Sequence, residues 1–233
     1  MDKEKFKIKC EKSQEIQLKF APNGSAVIIW SQSFVDSTGK SYYGEHSLTF
    51  TQLHGGTQRT KIPVFNAQVA DVAWSPRSED FIVISGSQPA TITLYDAEGR
   101  PTFEFGKLHR NTIRYSPFGN FVCIGGFGNL VGEMDFWDKK EMRQLGKCKA
   151  HCAVACEWAP DGRHLLAGVL FPRVRVENEV KLFDYYGNLL KHTKLHEYEV
   201  YAVEWKPVPE GTFQEKPPTP EEKRRGSTSE AAT

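Results

Sequence analysis

Nowhere does this 233-residue chain string together the twenty or so apolar residues that a membrane-crossing helix needs. The first dozen residues, MDKEKFKIKCEK, are charged throughout and lack the apolar centre of a signal peptide. The chain therefore reads as soluble, with no membrane partner. Cysteine is sparse and odd in number, five residues scattered at 10, 123, 148, 152 and 156. That count argues against a disulfide framework and for a reducing, cytoplasmic setting. Charge of one sign is missing too. A net charge of +1 carries neither the basic bias of a general nucleic-acid binder nor an acidic tail.

Catalytic and cofactor patterns are equally scarce. The stretch GGFGNLVGEMDFWD, 125–138, places glycines at 126, 128 and 132. A dinucleotide fingerprint needs G-x-G-x-x-G opening a helix, and a P-loop needs Gly-Lys-Ser/Thr at its end. Here the third glycine comes one residue late and a strand-like run follows. These glycines read as turn residues. No Ser-His-Asp or paired-carboxylate pattern stands out, so the expectation is a protein that is not an enzyme, with no cofactor. CKAHCAVAC holds Cys148, His151, Cys152 and Cys156, which resembles a zinc cluster. Four ligands on one short strand would splay to both faces, however, and Cys156 aligns with the core positions Val72, Ile113 and Val203. No metal site is expected.

A repeat is what the chain does have. An aromatic residue two positions before a proline recurs at Phe20–Ala21–Pro22, Trp74, Tyr115, Trp158 and Trp205, with steps of 54, 41, 43 and 47 residues. Units of about 40 to 45 residues suit four-stranded propeller blades. Ahead of each aromatic lies a short alternating strand. After the proline turn comes an apolar run (FIVIS, FVCIG, HLLAG), then a strand ending in aromatic-Asp: TITLYD, EMDFWD, EVKLFD. The apolar pairs Ile92 and Leu94, Met134 and Phe136, Val180 and Leu182 hold the same register before each Asp.

The predicted fold is therefore all-β, a WD-repeat-like β-propeller. It has four full blades, at about 15–65, 66–108, 109–150 and 151–195, plus partial blades, and is part of a larger propeller. KFKIKC supplies a candidate strand before them, and a further first strand ends at Trp205. Residues 1–207 form this partial propeller. Beyond Pro207, Pro, Glu, Lys and Ser dominate, and 208–233 read as a disordered tail.

His109, His151 and His196 stand in the blade-to-blade loops without a recurring nucleophile beside them, and read as partly exposed loop residues. The longest hairpin, FPRVRVENEVK, carries Arg173 and Arg175, whose alternation puts both on one face. In propeller geometry it stands beside the loops bearing Arg110 and Lys149. If the partner is RNA, these four cations should form one basic patch. If the protein is an interaction scaffold without RNA contact, they should be paired with acids such as Glu177 and Glu179. In the tail, KRRGS makes Ser227 a candidate site for a basophilic kinase.

DVAWSP at 71, YSPFGNFV at 115, the GFGNL hairpin and EWAPDGRHLLAGVLFPRVRVENEVKLFD at 157 together resemble the eukaryotic translation initiation factor 2A family. The resemblance covers about residues 15 to 215. Initiation factor 3 contains a polypeptide that shares the propeller style and is easily confused with this family. The resemblance implies a nine-bladed propeller of which this chain is the C-terminal part. It also implies association with the small ribosomal subunit and recruitment of initiator methionyl-tRNA without a GTP requirement. mRNA and other initiation factors are the further partners it suggests.

Overall fold

A computed structural model describes residues 7, 10, 13–33, 44–53, 59–64, 68–171, 173–175 and 177–219. All its regular elements are strands, in four antiparallel meanders whose spatial order follows the sequence. Blade 1 contains β1 (Glu15–Phe20), β2 (Ala26–Ser33), β3 (Glu45–Gln52) and β4 (Arg59–Ile62). Blade 2 contains β5 (Val69–Trp74), β6 (Asp80–Ser85), β7 (Ala90–Asp96) and β8 (Pro101–Leu108). Blade 3 contains β9 (Thr112–Tyr115), β10 (Phe121–Gly125), β11 (Glu133–Asp138) and β12 (Arg143–Lys149). Blade 4 contains β13 (Ala155–Trp158), β14 (His164–Val169), β15 (Glu179–Asp184) and β16 (Leu189–Lys194). The first strands touch one another, β5 against β1 and β9, and β9 against β13, so they line the inner side. Most of the candidate strand at 5–10 lies outside the described residues.

The local chemistry repeats with the blades. The aromatic-x-Pro turn of each of the four blades closes on the same pair of backbone bonds. In blade 3, Ser116 N–H donates to Phe121 C=O at 2.9 Å and Gly119 N–H donates to Ser116 C=O at 2.9 Å. The turn needs a left-handed residue, and Gly24, Gly119 and Gly162 fill that place at φ of 71°, 71° and 67°, with Ser78 at 62° in blade 2. In blades 2 to 4 the Asp ending the third strand caps the next turn. Asp96 accepts N–H bonds from Glu98 and Arg100, Asp138 from Lys140 and Glu141, and Asp184 from Tyr186 and Asn188.

Cores form between blades rather than within them, because a lone sheet can bury its faces only against a neighbour. Ile28, Leu48 and Phe50 of blade 1 meet Val72, Phe81 and Val83 of blade 2. Ile82, Ile92 and Leu94 meet Ile113, Val122 and Ile124. Phe121, Met134 and Phe136 meet Trp158, Leu165 and Phe183. The second strands β6 and β10 are buried along their whole length, as strands with a blade on each side must be. On the outer face of blade 1, Ile16, Leu18 and Phe20 remain about half exposed.

The repeat tryptophans lock the blades. The indole N–H of Trp74 donates to Lys19 C=O at 2.9 Å, and that of Trp158 donates to Arg114 C=O at 2.8 Å. Trp205 donates in the same way to Glu157 C=O at 3.2 Å. Each acceptor is the residue just before the preceding blade's own aromatic. The segment leading to Trp205 is not the strand that the sequence predicts, however. Phe171 N–H reaches Val200 C=O at 2.9 Å, but no strand lies on the segment's far side among the described residues to complete a ladder.

Beyond Pro207 the structure describes residues 208–219. They carry no strand, yet side chains hold them to the propeller. Arg77 pairs with Glu215 at 2.5 Å, and Tyr186 Oη donates to Thr219 C=O at 2.8 Å.

One histidine joins blades 1 and 2. His46 Nδ1 accepts from Trp30 Nε1 at 3.2 Å and from Val69 N–H at 3.1 Å, so that nitrogen must be unprotonated. Burial lowers its pKa below the ordinary 6.5, with Glu15 pulling weakly the other way. The folded protein thus prefers the neutral ring. Its contribution to stability is complete above pH 6.5 and is lost as the pH falls from there to the lowered value. NMR titration should give His46 a midpoint below 6.5. A midpoint at or above 6.5 would remove this pH dependence.

Candidate nucleic-acid interface

The hairpins joining second to third strands and the loops joining blades emerge on one face. Backbone contacts bring them together around residues 126–132. Asn111, in the loop before blade 3, clamps Phe127 from both sides, its Nδ2 donating to the carbonyl and its Oδ1 accepting the N–H, each at 2.9 Å. Gly132 C=O accepts from Ala150 N–H at 2.8 Å, tying the hairpin to the loop after β12.

These bonds dispose of a phosphate cradle. The N–H groups of Gly126, Gly128, Leu130 and Gly132 all donate to carbonyls of the protein itself, and that of Phe127 donates to Asn111. A nest needs such donors free to converge on an anion. Gly126 and Gly132 serve close approach instead. A Cβ on Gly132, at φ 83°, would lie 1.9 Å from Ala150 O, and one on Gly126 would lie 2.4 Å from His109 O.

Of the four cations expected on this face, Arg110 is the correction. It is 3% exposed. Its Nε and Nη2 both meet Asp135 Oδ2 at 2.7 Å, and its Nη1 reaches Glu133 Oε2 at 3.0 Å. Asp135, wholly buried on β11, also accepts from Gln144 Nε2 at 2.7 Å. Arg110 accepts Gln88 Nε2 on its carbonyl, so it staples blades 2 and 3 and offers no charge to solvent. The sequence could not reveal this, because Asp135 looked like one polar position among several on an alternating strand. Arg110 also holds the carboxyl of Glu133 below the usual carboxylate range.

The other three cations are exposed. Lys149 ends β12 opposite Glu133. Arg173 reaches across to blade 3, where its Nη2 donates to Asn129 Oδ1 at 3.0 Å and to Gly128 C=O at 3.3 Å. Arg175 has no acid partner among the described residues. Glu179 does not pair with either arginine, since Lys181 and His192 Nε2 occupy it, the latter at 2.6 Å. Val174 between the arginines packs on the blade 3–blade 4 core. The alternation thus holds for exposure, although the segment is a turn, with Val174 N–H bonded to Leu170 C=O, rather than a strand.

Asn111, Asn129 and Asn178 are what the sequence reading missed. Asn178 Nδ2 donates to Val174 C=O at 2.6 Å and its Oδ1 accepts Val200 N–H at 2.9 Å, fixing the arginine loop to the chain beyond blade 4. Their signal was only an amide side chain in a loop, and such residues are common. Cys156 sits in the core beside Cys123 and Cys148, and burial pushes the Cys148 thiol up to about 12. His109, His151 and His196 are exposed. Ser227 lies outside the described residues.

The family model for "Eukaryotic translation initiation factor eIF2A" matches residues 9–203, which include every blade. The chain belongs to that family. Eukaryotic translation initiation factor 2A of Dictyostelium discoideum is 37% identical over 201 residues, covering 86% of this chain and 32% of that protein. Its counterpart in Drosophila melanogaster is 31% identical over 205 residues, covering 87% of this chain and 32% of that protein. The fold has a solved counterpart in a structure described as a eukaryotic initiation factor. Its TM-score is 0.70 at 25% identity, covering 82% of this chain and 44% of that one. The chain thus spans about a third of the length of these eIF2A relatives. In eIF2A terms, both distinctive loops, GFGNL and PRVRV, meet through the Arg173–Asn129 contact.

Proposed function

We propose that this chain acts in translation initiation and docks the small ribosomal subunit through the loop face carrying Lys149, Arg173 and Arg175. From there it takes part in recruiting initiator methionyl-tRNA. The reading places it in the cytoplasm beside mRNA and other initiation factors. Family membership supports the setting. The observation that carries the site is Arg175, exposed and without an acid partner among the described residues, beside an Arg173 whose orientation Asn129 sets. Guanidinium groups held in this way suit phosphate oxygens, and each neutralised phosphate releases counterions.

The rival reading, a WD-repeat interaction scaffold without RNA contact, draws on Arg110, whose charge is spent internally. The test is the double variant Arg173→Ala, Arg175→Ala. It should stay within about 1 kcal/mol of wild-type stability, as exposed sites with one hydrogen bond do. Its affinity for purified small ribosomal subunits and for initiator tRNA should fall, and the logarithmic salt slope should flatten by up to about two. Wild-type binding with an unchanged slope would leave the scaffold reading standing.

A further inference from the structure

The opposite face of the propeller carries a second cluster that the initiation reading does not use. Here the chain after Trp205 returns under blades 2 to 4. A cleft of about 710 Å³ opens between it and the turns after β9 and β11, with Thr219, Lys140 and Arg143 in its wall. Arg163 organises the contact. Its guanidinium lies 4.4 Å from the centre of the Tyr185 ring, and its Nη1 donates to Pro217 C=O at 3.0 Å. Its Nη2 donates to Tyr185 Oη and to Thr219 Oγ1, each at 2.8 Å. The Thr219 backbone is gripped on both sides, its N–H by Tyr185 Oη and its C=O by Tyr186 Oη, at 2.8 Å each.

Thr219 precedes Pro220. The chain has three Ser/Thr-Pro pairs, the others being Ser75–Pro76 and Ser116–Pro117. Those two serines are 2% and 0% exposed, and their hydroxyls cap the turns between first and second strands. No kinase could reach them without unfolding a blade. Thr219 differs in that side-chain bonds alone hold its segment, with no strand ladder. Local release therefore costs far less than global unfolding.

We propose that Thr219 is a phosphorylation site for proline-directed kinases, and that its phosphate locks the 208–219 segment onto the propeller. The kinase acts on the released segment. The Thr219 hydroxyl oxygen takes the γ-phosphoryl group of ATP, its proton leaves, and ADP is released. On return, the phosphate oxygens meet Arg163, already at hydrogen-bond distance from Oγ1, and face Lys140 and Arg143 across the cleft. The acids nearby are partly spent. Glu215 is paired with Arg77, and Asp138 accepts the N–H groups of its own turn. Glu79 and Glu141 share the cleft wall and oppose the phosphate. The direct guanidinium contact, a charge-assisted bond once the phosphate is present, outweighs them.

The test uses the full chain, ATP and a mitogen-activated protein kinase. Mass spectrometry locates the phosphate, and hydrogen exchange follows residues 208–219. The expected result is modification of Thr219, with exchange across the segment slowed about tenfold. The variant Lys140→Gln, Arg143→Gln should match wild type before phosphorylation and lose part of the slowing after it. Phosphate found elsewhere, at Ser227 for example, with Thr219 unmodified, would overturn the acceptor assignment. Exchange unchanged or faster after phosphorylation of Thr219 would overturn the lock.

Discussion

Arg110→Ala will destabilise the fold by about 3 to 5 kcal/mol, a large share of the roughly 5 to 15 kcal/mol available to a typical domain. The variant leaves Asp135, wholly buried, with Gln144 at 2.7 Å and a distant Lys147 amine at 3.5 Å as its remaining polar partners. Stranding a buried charge costs more than the ion pair itself contributes. The double variant Arg110→Met, Asp135→Met should therefore recover most of the loss, since it removes both charges together. Urea unfolding at pH 7 of the wild type and both variants separates the cases. A single variant within about 1 kcal/mol of wild type would mean that the ion pair is dispensable, and would return Arg110 to the list of free cations.

Gly132→Ala should cost about 3 kcal/mol or more, well above the change at its neighbour Gly128. Both residues have positive φ, 83° and 68°, and each would charge an alanine roughly 1 to 2 kcal/mol of left-handed backbone strain. Only at Gly132 does the new Cβ meet backbone, 1.9 Å from Ala150 O, whereas at Gly128 nothing lies within 4 Å. Relief of that clash requires the hairpin to leave the loop after β12, breaking the Ala150–Gly132 hydrogen bond. Thermal unfolding of the two variants side by side checks the contrast. Equal losses would show that φ alone, and not the approach of the two loops, sets the requirement for glycine.

The blades were legible because their signals are local. An aromatic-x-Pro turn, a buried run and an aromatic-Asp strand each occupy a few consecutive residues, and period-two alternation states which face is buried. The first blade lacks the aromatic-Asp ending, and its place in the repeat rested on the Phe20–Ala21–Pro22 turn. The loop face was legible in outline for a similar reason, since meander topology puts every second hairpin on the same side. What no local signal could state was the partner of a charge. Arg110 and Asp135 are 25 residues apart, and neither looks buried in its own segment.

Sequence alone therefore determined the strands of the four blades, their alternation and the side on which each loop emerges, because these follow from periodicity and turn chemistry within a single repeat. The tertiary structure alone decided which cations stay free. It buried Arg110 on Asp135, tied Arg173 to Asn129 and left Arg175 open. It also held the 208–219 segment against Arg163 and Tyr185. The reason is that charge pairing and docking depend on distances between blades, and those distances arise only when the sheets pack face to face.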